Sequence, residues 1–113
     1  MLPKRFRLSK KEFAEVRKIG TVVSGRMMGL LIAREREEGK RKKEFPKAGI
    51  IVSKKLSNKA VIRNKLKRRL REALRAILPD LSPTVHFVVL PNRRALEATV
   101  KELADELKRL LNC

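Results

Sequence analysis

Residues Asn58–Leu78 read NKAVIRNKLKRRLREALRAIL, and this stretch decides the fold. Its apolar residues Ile62, Leu66, Leu70, Ala73 and Ile77 recur at steps of four, four, three and four. That spacing predicts one buried stripe of a long α-helix. The opposite face carries Asn64, Arg68, Arg71 and Arg75, flanked by Arg63 and Lys67 on one side and Lys65 on the other. From Lys54 to Arg75 there are ten Lys/Arg and a single acid, Glu72, which is nine of the chain's net +18 charges. Solvated helix faces usually mix Glu and Lys at i,i+4, whereas Lys67–Arg71 and Arg71–Arg75 are like pairs that repel by roughly a few tenths of a kcal/mol each. A helix with one apolar and one cationic face docks on its own domain and presents the other side to a polyanion.

The rest of the composition agrees. A chain of 113 residues holds one domain, 1–113, and 42% hydrophobic content is enough for a folded core. The pI near 11.2 points to nucleic acid ahead of an anionic membrane. Trp and Tyr are absent and only four Phe are present, which argues against an extended base-stacking platform. The one cysteine, Cys113, excludes an internal disulfide and a cysteine zinc cluster. No apolar run reaches signal-peptide or membrane-spanning length, so a soluble, cytoplasmic protein is expected.

Around the central helix the order of elements is α-β-β-β-α-β-α. Ser9-Lys10-Lys11-Glu12 is a capping box, with Leu8 and Phe13 as its hydrophobic staple, and the first helix should stop at Gly20. Thr21–Val23, Met27–Ala33 and Ala48–Ser53 read as strands. The polar stretch 34–47 between the last two is taken as a loop joining antiparallel strands. After a turn bracketed by Pro79 and Pro83, Thr84–Leu90 is a β-branched strand. Asn92 is the expected N-cap of a last helix with the stripe Leu96, Val100, Leu103, Leu107 and Leu110, and with Glu97, Glu102, Asp105 and Glu106 outward. The order predicts an α+β sandwich: a mixed four-stranded sheet with the central helix on one face. If the strands flanking that helix are parallel, general rules favour a right-handed crossover.

Catalytic groups are scarce. The lone His86 sits mid-strand between Val85 and Phe87, where a packed or edge-exposed imidazole is the expectation. No pair of acids has an acid/base or metal-binding spacing, and there is no phosphate-binding glycine loop. Residue chemistry describes a binder.

Residues 53–69, SKKLSNKAVIRNKLKRR, resemble the signature of the bacterial ribonuclease P protein subunit. The opening KRFRLSKKEFAEVRKIG, the late VHFVVLP strand and the Leu-rich final helix are similar to the same family. The resemblance implies an α+β fold of the ribosomal protein S5 domain 2-like type, with a left-handed βαβ crossover that departs from the general rule. It also implies two RNA partners, the ribonuclease P catalytic RNA and the 5′ leader of precursor tRNA, with no membrane or DNA partner. Leader removal would then be carried out by the RNA subunit with Mg²⁺ bound mainly by that RNA, and the protein would supply no catalytic residue. Carried over position by position, Lys54, Lys55, Arg63, Asn64, Lys65, Lys67, Arg68 and Arg71 contact the catalytic RNA. Phe13, Arg17, Met28 and Leu31 line the leader cleft. Arg17, Met28 and Leu31 stand where relatives often have aromatics, and Ser57 stands where glycine is frequent, so this cleft would rely on charge and apolar contact more than on stacking. On charge and size alone, a ribosomal or general RNA-binding protein remains the alternative.

Overall fold

Helix α1 (Lys10–Ile19) opens on the expected capping box. The Ser9 hydroxyl accepts the Glu12 N–H at 3.2 Å, and the Glu12 carboxylate accepts the Ser9 N–H at 2.9 Å. The computed structural model describes residues 2–34, 46–81 and 85–111. The lysine-rich part of the 34–47 loop, Pro83, Thr84 and Cys113 therefore lie outside the described residues. Gly20 ends α1 as expected, but for a different reason than a left-handed cap. With φ −71° and ψ 152° it is extended, and a Cβ there would run into the Val16 carbonyl oxygen and, at 2.9 Å, the Leu31 side chain.

Strands β1 (Thr21–Ser24), β2 (Met28–Arg34), β3 (Lys47–Ile50) and β4 (Val85–Pro91) form one sheet in the order β1-β2-β4-β3. β1 pairs antiparallel with β2, β2 antiparallel with β4, and β3 parallel with β4. Helix α2 (Ala60–Ile77) joins the two parallel strands. β2 and β3 run in opposite senses, as expected, yet they are not neighbours, because β4 lies between them. Val85 to Val89 are all buried, and a strand apolar on both faces belongs in the middle of a sheet. The outer edge of β3 is partly covered by the N-terminal segment, where Arg7 bridges Ala48 and the Leu8 N–H donates to the Ala48 carbonyl at 3.4 Å.

The pleat sorts side chains onto two faces. Met28, Leu30, Ile32, Ala48, Val85, Phe87 and Val89 join the main core with Leu66, Leu70, Ala73, Leu74 and Ile77 of α2. Leu31, Ala33, Val88 and Leu90 face the other way, into a smaller cluster with Val16, Leu8 and Phe13. The predicted stripe of α2 is thus the buried one, with Leu74 added and Ile62 half-buried.

The last helix departs from its predicted start. Asn92 caps a 3₁₀ turn, Arg93–Glu97, by accepting the Arg94 N–H at 2.9 Å. Helix α3 (Val100–Leu110) begins later with its own capping box, Thr99 and Glu102. Glu106 is not outward as expected. It is 4% exposed and accepts the Arg26 and Met27 N–H groups at 3.0 and 2.8 Å.

Candidate nucleic-acid interface

Helix α2 is held by its apolar stripe, which leaves its cations turned outward. Asn64, Lys65 and Arg68 are exposed, while Arg63, Lys67 and Arg71 form a half-buried row at i, i+4 and i+8. Lys54 and Lys55, in the turn that follows β3, are exposed as well. The start of α2 differs from the other two helices, each of which has a capping box and an acid in its first turn. Lys59 at the N-cap of α2 makes no side-chain cap bond, and no acid stands in the first turn. Its first backbone N–H groups and the surrounding lysines therefore offer positive potential without an internal counter-charge, the setting in which a phosphate is stabilised.

Two arginines of α2 are tied to the protein. Arg63 donates to the Ser57 carbonyl at 2.8 Å and braces the turn ahead of the helix. Arg69, which no sequence motif singled out, donates to the Ala98 and Leu96 carbonyls at 2.9 and 2.8 Å. It clamps the 3₁₀ turn onto α2. Both carbonyls belong to a segment distant in sequence, so only the folded chain reveals the role.

On the other side of the sheet, α1 lies across the smaller apolar cluster, with Phe13 half-buried and Arg17 exposed. The Phe13 ring rests on Gly49 of β3 so closely that a Cβ at this glycine would strike the ring. Leu31 borders the same cluster. Met28 does not. It is 1% exposed in the main core with residues of α2 and α3, so it does not line the cleft that the resemblance implies. A strand alternates faces, so positions 28 and 31 point to opposite sides. Phe13 and Gly49 also line a recess of about 290 Å³ with Arg7, Leu8, Lys67 and Arg71, which joins the α1 side of the sheet to the cationic helix. Gly49 had a legible signal, since a glycine inside a strand often marks a close approach.

Next to the recess, His86 is buried in β4 with Nδ1 3.9 Å from the Glu12 carboxylate. Lys47 also reaches that carboxylate, at 2.9 Å. Partial burial pushes the Glu12 carboxyl up, but bonds from the Ser9 N–H, Lys47 and the Ser9 side chain outweigh it and hold the pKa at about 2, against an ordinary 4.5. A depressed carboxylate stabilises the fold above its unfolded pKa and ceases to as pH falls through its folded one. The stability difference between wild type and Glu12→Gln should therefore be largest above about pH 4.5 and shrink toward about pH 2, as thermal melts across that range would show. A difference independent of pH would mean that Glu12 contributes only packing.

Gly49 can be tested directly. Gly49→Ala should cost about 1–3 kcal/mol in urea unfolding, because the added methyl displaces the Phe13 ring. In a Phe13→Ala background the same change should cost much less; an undiminished cost would place the clash elsewhere.

The mixed four-stranded sheet in the order β1-β2-β4-β3, with α2 joining its two parallel strands, defines an α+β domain of the S5 domain 2-like type. The Ribonuclease P family model matches residues 2–113, and the chain belongs to that family. A Ribonuclease P protein component from Pseudanabaena sp. is 36% identical over 112 residues, covering 98% of this chain and 92% of that protein. One from Brucella melitensis biotype 1 is 37% identical, covering 89% and 79%. Two other relatives, from Picosynechococcus sp. and Cyanothece sp., align at 46% and 41% identity, and the chain spans only about half of their length, 56% and 53%. Among solved structures, a Staphylococcus aureus RNase P protein mutant with defective mRNA degradation activity superposes with a TM-score of 0.75 at 28% identity, covering 96% of this chain and 87% of that one. The Thermotoga maritima RNase P protein in complex with 1-(4-fluorophenyl)-2-thiourea gives 0.73 at 25%, covering 93% and 96%. No helix among the described residues is long and apolar enough to cross a membrane.

Proposed function

We propose that this protein is the RNA-binding subunit of a ribonuclease P ribonucleoprotein and promotes removal of the 5′ leader from precursor tRNA. The observation that carries the reading is the cation-rich outer face of α2, mounted on the buried Leu66, Leu70, Ala73, Leu74 and Ile77 and adjoining a recess that contains Phe13. Lys54, Lys55, Lys65 and Arg68 neutralise phosphates of the catalytic RNA, with Asn64 among them as a neutral hydrogen-bonding group. The groove beside α1, with Phe13, Leu31 and Arg17, receives the single-stranded leader. Base stacking there is limited to one ring, so leader affinity comes from charge and apolar contact. The chemical step belongs to the RNA and its Mg²⁺. The protein's part is to raise the affinity and orient the substrate.

Reconstitution tests this. Mixed with a bacterial ribonuclease P RNA at low Mg²⁺, the protein should accelerate cleavage of precursor tRNA over the RNA alone and should cleave nothing by itself. An unchanged rate would refute the reading, and cleavage by the protein alone would overturn the assignment of chemistry to the RNA.

A further inference from the structure

The cations of α2 do not form one uniform surface. Lys65 and Arg68 are exposed and border an open hollow with Arg69 and Leu96, on the side of the 3₁₀ turn. Lys67 and Arg71 are half-buried on the other flank and line the recess that holds Phe13 and Gly49. From the sequence, all four residues were one RNA-binding set.

We propose that α2 serves two RNAs at once. Lys65 and Arg68 meet the folded catalytic RNA, while Lys67 and Arg71, with Arg7 of the N-terminal segment, grip phosphates of the single-stranded substrate whose base lies against Phe13. The proposal rests on the ribonuclease P reading and assigns the substrate's contacts within it.

Shape is the first argument. A recess of about 290 Å³ with an apolar floor has the size for about one unpaired nucleotide, at the small end of ligand sites. A folded RNA presents its phosphates on a convex surface and cannot follow half-buried side chains into a concavity. Exposed Lys65 and Arg68 suit such a surface.

Charge is the second argument. The recess draws three cations from two separate chain segments and has no acid in its lining. Lys67 and Arg71 are a repelling i,i+4 pair, and Arg7 adds to the repulsion unless an anion enters. Another recess, beside the β1–β2 turn, gives the contrast: there Arg26 and Arg94 are balanced by Glu97 and Glu102, and no polyanion is called for. The third argument is the seat of the aromatic. Because Gly49 has no side chain, the Phe13 ring sinks onto β3 and remains a fixed wall against which a base can rest.

The test compares two double variants in the reconstituted holoenzyme, Lys67→Gln/Arg71→Gln and Lys65→Gln/Arg68→Gln. The first should reduce the preference for precursor over mature tRNA about tenfold while leaving affinity for the RNA subunit within about twofold of wild type. The second should do the reverse. If the Lys67/Arg71 variant instead weakens binding of the RNA subunit as much as its counterpart and keeps the precursor preference, the division is wrong. Arg7→Gln lies outside α2 and guards against helix damage: it too should lower precursor preference alone, and an unaffected preference would count against the recess. Wild-type holoenzyme that shows no precursor preference would instead sink the ribonuclease P reading itself, before any variant is compared.

Discussion

Raising the salt from about 50 to 200 mM should weaken the protein's binding to a ribonuclease P RNA by roughly three orders of magnitude. The cations Lys54, Lys55, Lys59, Lys65, Arg68 and Arg75 are exposed, and under the proposed reading they would make about six phosphate contacts, each releasing a condensed counter-ion. Their geometry is set in advance, since Leu66, Leu70, Ala73 and Leu74 are fully buried and fix the rotation of the helix. Arg68→Ala should lower affinity and flatten the slope of log affinity against log salt by about one unit. Filter binding or fluorescence titration at several salt concentrations reads both quantities. A slope unchanged by Arg68→Ala would mean that its guanidinium remains solvated in the complex.

Glu106→Leu should destabilise the fold by about 3 kcal/mol and lower Tm by more than about 10 °C. The carboxylate accepts the Arg26 and Met27 N–H groups at 3.0 and 2.8 Å, and Arg109 reaches it at 3.1 Å. Leucine fills comparable space but accepts nothing, so two backbone donors in the β1–β2 turn lose their partner where water has little access. The turn approaches α3 closely: a Cβ on Gly25 would come within 2.8 Å of Leu110 and 3.1 Å of the Glu106 carboxylate. Glu106→Gln keeps one acceptor oxygen and should lose about half as much. Below its melting temperature the Leu variant should still bind RNA, because α2 makes no use of this carboxylate. A variant as stable as wild type would show that the turn finds other acceptors.

Much of the geometry of the candidate interface is legible in the chain because its signals are local. The steps between Ile62 and Ile77 define which side of α2 is buried, and the cation-rich face opposite is the ground for expecting a polyanionic partner. The Ser9–Glu12 capping box is likewise a matter of four consecutive residues. The second box, Thr99–Glu102, carries an equally local signal, yet the apolar stripe continuing back to Leu96 drew the predicted helix start to Asn92. Met28 was misplaced for a related reason. Its strand is an almost continuous apolar run, which hides the period of two that separates Met28 from Leu31.

Other features depend on which segments meet. The sequence by itself determined the buried stripe and cationic face of α2, the start of α1 and the strand-forming runs, since each follows from periodicity or composition within one element. The tertiary structure alone decided that β4 lies between β2 and β3, that Glu106 is sequestered beneath the β1–β2 turn, that Arg69 clamps the 3₁₀ turn, and that Lys67 and Arg71 share a recess with Phe13. Those outcomes rest on pairings between residues far apart in the chain, where burial and hydrogen bonding, and not local propensity, set the free energy.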